Sequence, residues 1–434
     1  MKRSFSGNRR KGQGHRTIAE IFAGRGLVHN KAKVLLAKRP SVPLPLFGSI
    51  ESPSLQITAL AGIYLHIPFC KQACYYCDFH FSTNLRLRED LVQAMIKETD
   101  LRKDYLQGQS VRTIYLGGGT PSLLTSGQLQ TILDKVYQTF SVHPEAEVTL
   151  EANPDDLSHD TLSTLWSLGV NRLSIGIQSF DDKILRWMNR AHSGPEAISA
   201  VTNAHKVGFE NLSLDLIYGV PNSSPSRLEK DLAQLLQLNP VHISAYSLTI
   251  EPNTVFGRRQ QKGKLNAADD VEVVQEYNYI TQNLRLAGFD HYEVSNFGKP
   301  GFYSQHNTSY WHQIPYLGLG PSAHSYNGFS RSYSIANNAK YIKTIRQGIL
   351  PMEQEDLSEK DQLNEYVLTR IRTQWGIDME KIQNNFNIDF RRKYTTVFTR
   401  WIEEGLAFWR EGHFILTENG LLLADSLAEE LFLE

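Results

Sequence analysis

The stretch His66–Phe79 reads HIPFCKQACYYCDF, and it holds every cysteine of the 434-residue chain: Cys70, Cys74 and Cys77. A triplet this tight cannot make ordinary disulfides, and so few cysteines over such a length point to a reducing compartment. Four thiolates would complete a zinc site or a fully protein-held iron–sulfur cluster, and here one is missing. Three thiolates on a four-iron cluster leave one iron open to something other than protein. The residues also allow a structural zinc site of Cys₃His type, with His66 or His80 as the fourth ligand.

Outward from the triplet, apolar strands alternate with amphipathic helices, the pattern of a parallel sheet. The candidate strands are IYLHI (63–67), TIYLG (113–117), EVTLE (147–151), RLSIGIQ (172–178), LSLDLIY (212–218) and HISAYSL (242–248). Helices are predicted over Glu89–Tyr105, Gly127–Phe140, Ser158–Ser167, Pro195–Val207 and Arg227–Leu238. Gly169, Gly208 and Asn239-Pro240 each stop a helix just before the next strand. Six such repeats predict a (β/α) barrel of six strands rather than eight. The unusual residues fall at or near strand C-termini, where barrel enzymes build their sites. They are the cysteines, Gly117-Gly118-Gly119-Thr120-Pro121, Glu151 and Gln178, with Asp215 and Ala245 inside the fifth and sixth strands. Glycines there let the backbone approach a ligand closely, though such a run is also an ordinary turn.

The CxxxCxxC triplet after a strand resembles the radical S-adenosylmethionine (SAM) superfamily. That resemblance implies a [4Fe–4S] cluster on Cys70, Cys74 and Cys77, with its fourth iron chelated by the amino and carboxylate groups of SAM. One electron from the cluster would then cleave a carbon–sulfur bond of the sulfonium, the protein supplying position and dryness. By the same likeness Tyr76 packs near the adenine and the glycine run holds the methionyl amino group with help from Glu151. Arg190 would take the SAM carboxylate, as suits a guanidinium fork. Taken singly, Glu151 also reads as a cap on the NPDD turn, and Arg190 as an exposed helix-end charge.

LEANPD, RLSIGIQSF, MNRAH and LDLIYGVP together are similar to the coproporphyrinogen III oxidase-like branch of that superfamily, over about residues 62–430. The likeness places Tyr64, Gly118, Gly119, Thr120, Glu151, Gln178, Arg190 and Asp215 at SAM-contacting positions, and we add Ala245. Within the branch the chain looks like its haem chaperones. The oxidase has another cysteine two residues after the third; Phe79 stands there here, which counts against oxidative decarboxylation of coproporphyrinogen. The implied function is binding of cluster, SAM and haem, with transfer of haem to acceptor proteins. A radical SAM oxidase acting on a porphyrinogen is the alternative. An electron donor for the cluster is a further expected partner. In HNTSYW, His306 is a candidate haem ligand, with aromatics to stack on the porphyrin; it reads equally as a core histidine.

The expected fold is α/β, a partial (β/α)6 radical SAM barrel followed by a small α+β winged-helix-like C-terminal domain. Its parts are a basic, flexible extension (1–60), the barrel core (61–290), an irregular connecting segment with the HNTSYW motif (291–350) and the C-terminal domain (351–434). Within that connection 291–297 is strand-like and 301–326 reads as irregular. Past Pro351 come helices Leu357–Thr373 and Ile388–Glu404, a hairpin over 406–417 and a last helix from Glu418.

Charge is uneven. Residues 1–50 carry eleven of the 45 Lys/Arg and one of the 46 acids, leaving 34 basic against 45 acidic residues, net −11, in the remainder. An acidic body argues against nucleic acid as a partner. The basic head suits a solvated tail, a transit-like leader or a transient membrane contact. No stretch reaches the ~20 apolar residues that span a bilayer, and the expected location is the cytoplasm.

Overall fold

The computed structural model describes residues 60–434; the expectations for the basic extension lie outside them. Six parallel strands, β1 (Leu60–Ile67), β2 (Ser110–Gly118), β3 (Val142–Ala152), β4 (Arg172–Gln178), β5 (Asn211–Tyr218) and β6 (His242–Ser247), lie side by side in sequence order. Each is followed by a helix, and the five predicted between them are present as Arg88–Leu101, Ser126–Thr139, His159–Ser167, Gly194–Val207 and Pro225–Gln237. Local chemistry sets their ends. Thr125 with Gln128, and Ser193 with Glu196, form reciprocal caps at two helix starts. Gly208 closes the second of these helices in the left-handed region at φ +114°.

The sheet does not close. Strands β7 (Asp290–Glu293) and β8 (Asn296–Gly298) form a hairpin whose β8 pairs antiparallel with β6. At the other edge β9 (Tyr316–Leu319) runs parallel to β1. Beyond it lie β10 (His324–Tyr326), β11 (Ser330–Ser334) and β12 (Met352–Asp356), completing an open twelve-stranded sheet. Residues 301–326 are therefore not irregular, as their composition suggests. They hold the helix Gln305–Trp311 as well as β9 and β10. The single strand expected over 291–297 is two short ones.

The two faces of the six-stranded core differ in kind. One carries Ile63, Leu65, Ile67, Ile114, Leu116, Val148, Leu150, Leu173, Ile175, Leu212, Leu214 and Ile243, all in one apolar core with helix residues such as Leu91, Leu129, Leu162 and Val201. The alternate positions are polar and buried: His66, Thr113, Glu147, Thr149, Arg172, Ser174, Gln178, Ser213, His242 and Ser244. Parallel strands are ordinarily apolar on both faces. A polar inner face is one built for something other than packing.

The C-terminal part of the chain begins with the helix Glu359–Ile371. A three-stranded sheet follows, made of β13 (Ile377–Asp378), β14 (Ala407–Arg410) and β15 (His413–Leu416), with β15 central. The long helix expected over 388–404 is broken at Tyr394 into Phe390–Lys393 and Thr395–Glu403. A backbone hydrogen bond from Val294 to Arg372 and one from Gln374 to Tyr292 (3.1 and 3.0 Å) tie this part to the β7–β8 hairpin.

Candidate functional site

The cysteine loop leaves the end of β1 and is laced to its neighbours by short contacts. Asn189 donates its side-chain amide to the Ala73 carbonyl (2.8 Å), and Gln72 returns a bond to the Asn189 carbonyl (2.8 Å). Asn189 holds φ +58°, a conformation asparagine tolerates better than most residues. The Tyr75 amide bonds the Met188 carbonyl, and the Tyr75 carbonyl accepts the Phe256 amide. Lys71 donates to Asp155 (2.8 Å) and pairs with Asp156, so the loops after β1, β3, β4 and β6 all meet at the cysteines.

Burial pushes the Cys70 thiol up to about 11 and the Cys77 thiol up to about 12. The Thr120 hydroxyl, 3.7 Å from the Cys70 sulfur, pulls the other way. Arg190 is fully drawn into the site. Its Nη1 donates to the Cys74 sulfur (3.4 Å) and the Tyr76 hydroxyl (3.5 Å), and its Nη2 to the Asn153 side chain (2.6 Å) and the Gly176 carbonyl (2.7 Å). It is thus not the exposed helix-end charge that its sequence position also allows. Tyr76 packs on Met188, Ile217 and Val220, and burial raises its pKa.

The glycine run lies against β1. Gly118 has φ +102°, and a Cβ there would run into the His66 ring. At Gly119 a Cβ would sit 2.7 Å from the Ile67 and Phe69 carbonyl oxygens, so only glycine lets β2 end this close to the cysteine loop. Glu151 reaches across from β3, accepting from the Tyr115 hydroxyl (2.8 Å) and the Gly118 amide (3.0 Å). It does not cap the following turn. Burial raises its pKa, and burial with the nearby Glu151 charge lifts Asp215 to about 7. Ser174 donates to Asp215 at 3.3 Å.

Gln178 ends β4 at φ +66°, a left-handed conformation costly for a residue with a Cβ. The next two residues are pinned by Asp231, which accepts from the Ser179 hydroxyl (2.7 Å) and the Phe180 amide (2.8 Å). Tyr64 also faces the inner surface, donating to or accepting from His66 Nδ1 at 3.0 Å.

Two expected site residues stand elsewhere. Ser244 shares its strand register with Asp215 on the polar face, so the next residue, Ala245, turns its methyl into the apolar core on the helix side. His306 is 2% exposed. Its Nδ1 bonds Thr113 Oγ1 (2.8 Å), its Nε2 bonds the Tyr310 hydroxyl (2.7 Å), and its ring stacks on Tyr115. Neither nitrogen is presented to a haem iron, and burial lowers its pKa to about 3. This is the geometry of a core histidine.

The donor set suits a three-thiolate cluster with SAM better than a zinc. His66 has both nitrogens bonded, to Tyr64 and the His80 carbonyl, and His80 Nε2 meets Asn338. Arg190 Nε, by contrast, is buried with no partner, an N–H left over for an anionic group beside the cysteines. Asn153, Asn189, Lys71 and Asp231 were not singled out from sequence, although the first two sit inside the LEANPD and MNRAH motifs.

The radical SAM superfamily profile matches residues 64–235, and the HemN C-terminal domain profile matches 357–423. The haem chaperone HemW of Lactococcus lactis subsp. lactis is 34% identical over 375 residues, 86% of this chain and 97% of that protein. The haem chaperone HemW of Escherichia coli is 35% identical over 384 residues, 86% of this chain and 98% of that protein. Among solved structures, coproporphyrinogen III oxidase (HemN) from Escherichia coli superposes with a TM-score of 0.75 at 21% identity, covering 87% of this chain and 92% of that one. That structural likeness speaks for the fold. The sequence relationship, running through the cysteine loop, the Arg190 cradle and the C-terminal part alike, shows that the chain belongs to the HemW family of radical SAM proteins.

Proposed function

We propose that this protein is a cytoplasmic haem chaperone that holds a [4Fe–4S] cluster and SAM, binds haem and passes it to haem-accepting proteins. The observation that carries the cofactor part is Arg190, whose half-buried guanidinium touches Cys74 and keeps a buried Nε without a partner. Full-length likeness to HemW proteins supports the haem part. When bound, the cluster and SAM supply one-electron chemistry at a sulfonium. Cys70, Cys74 and Cys77 hold three irons. Gly118, Gly119 and Thr120 offer backbone and hydroxyl groups to the methionyl end, and Glu151, already carrying the Gly118 amide, stands behind them. Arg190 binds the carboxylate. Tyr76 gives an apolar wall to the adenine. Tyr64, Gln178 and Asp215 line the polar inner face.

Arg190→Lys keeps the charge and removes the fork. We expect iron and sulfide to remain and SAM affinity to fall about ten- to a hundredfold, the worth of a charge-assisted hydrogen bond. Titration of SAM against the EPR signal of the reduced cluster reads this directly. Unchanged affinity would remove Arg190 from the SAM site.

Haem transfer tests the whole reading. Anaerobically reconstituted protein is expected to bind haem with a defined Soret band and to hand it to apomyoglobin. With dithionite, SAM and coproporphyrinogen III it is expected to give no protoporphyrinogen. Formation of that product would replace the chaperone reading with the oxidase.

A further inference from the structure

Residues 256–264 read FGRRQQKGK, and from 252 to 268 the chain carries Arg258, Arg259, Lys262 and Lys264 with no acid. This is the reverse of the rest of residues 51–434, where 30 basic face 45 acidic residues. Glu251 and Asp269 bound the strip at its two ends. Among the described residues, none of the four cations is paired with a carboxylate. Arg258, Lys262 and Lys264 are exposed, and Arg258 Nη1 reaches the Asn253 carbonyl at 2.9 Å. A charge run is most often a solvated face. Where this one sits makes it more than that.

The strip is fixed to the cysteine loop. Thr254 caps the short helix Val255–Gln261 by accepting the Gly257 amide at 3.0 Å. The Phe256 amide donates to the Tyr75 carbonyl at 2.9 Å, and its ring lies edge-on to Tyr75 and against Trp187. Arg259 stands 4.5 Å over the Tyr75 ring. Tyr75 is the residue after Cys74, so the strip is held one residue from a cluster ligand. Four clustered cations at that place steer an acidic partner towards the redox centre.

We propose that Arg258–Lys264 is the docking face for a small acidic one-electron carrier protein that reduces the cluster. This rests on the cluster-binding reading and adds the partner and its surface. A flavodoxin hydroquinone loses one electron and the oxidised cluster gains it; no atom is transferred. An anionic membrane is the competing occupant, and the net −11 body opposes it.

The test uses the full chain, anaerobically reconstituted, and a variant carrying Arg258→Glu, Lys262→Glu and Lys264→Glu, which leaves Arg259 on its ring. Flavodoxin is the probe. Binding of its oxidised form is read by calorimetry, and reduction of the cluster by its hydroquinone is read by stopped-flow absorbance. At low ionic strength the variant is expected to bind and to be reduced about tenfold or more less effectively than the wild type, as for charge-steered contacts. The difference should shrink in about 0.5 M NaCl, where screening lengths fall to a few Å. Dithionite, which needs no docking, should reduce both proteins alike. Equal binding and equal reduction by flavodoxin, or no flavodoxin binding by the wild type, would overturn the proposal. So would loss of sedimentation with phosphatidylglycerol vesicles while flavodoxin binding is untouched, which assigns the strip to a membrane. Calorimetry with the oxidised probe does not need the cluster, so absence of iron and sulfide would count against the cofactor reading alone.

Discussion

Cys74→Ser is expected to remove the cluster while leaving the fold in place. An anaerobically reconstituted wild type should carry about four iron and four sulfide per chain, and the variant close to none, since a three-thiolate site has no spare ligand. The thermal midpoint without metal should barely move. The core strands are packed by their own apolar face, and Cys74 lies in a loop whose shape is kept by Asn189, Gln72 and Tyr75 rather than by its sulfur. SAM binding should go with the iron. A variant that kept the visible absorbance and EPR signal of an intact cluster would remove Cys74 from the ligand set, and the proposed cofactor arrangement with it.

Glu147→Ala should have the opposite signature, a large stability loss far from the cysteines. Glu147 points to the buried polar face of β3, where it accepts the amides of Gln305 (3.1 Å) and His306 (3.0 Å) at the start of the helix Gln305–Trp311. Its carboxylate is also 3.9 Å from Arg172 Nε, and both side chains are almost wholly buried. Truncation takes from a buried guanidinium the one carboxylate within 4 Å of it and takes the acceptor from two helix amides. A buried pair broken on one side costs about 3–5 kcal/mol. The urea midpoint, measured with and without cofactors, reads it. Glu147→Gln, which keeps an acceptor for the amides, should lose less. A midpoint shift worth under about 0.5 kcal/mol for the alanine variant would show that Arg172 is stabilised by other means.

Much of this protein can be read from its residues because its core repeats one simple unit. Each apolar run of five to seven residues is a strand, and each glycine or Asn-Pro break is a helix end; Gly169, Gly208 and Asn239 all adopt positive φ. The segment 301–326 escaped because its pieces are too short for periodicity to register. Strand β9 has four residues and acquires its identity from pairing with β1, some 250 positions earlier. The cysteines stood out by type and spacing, and Arg190 through the MNRAH motif that carries the resemblance. The side chains that hold them did not, because Lys71–Asp155, Gln72–Asn189 and Arg190–Asn153 are contacts across 84, 117 and 37 positions. Ala245 and His306 show the converse error. Place in the sixth strand suggested the first and the HNTSYW motif the second, but strand parity turns the Ala245 methyl outward and two hydrogen bonds engage both His306 nitrogens.

The lacing of the cysteine loop bears on how the metal is loaded. A ligand loop that is slack before metallation has to be ordered by the metal, and the ordering cost comes out of affinity. Here three neighbouring connections have already cast its outline, so assembly machinery meets a mould rather than a loose thread. Iron should then be taken up without a wave of folding, and apoprotein and holoprotein should give nearly the same amide-exchange map outside residues 70–77.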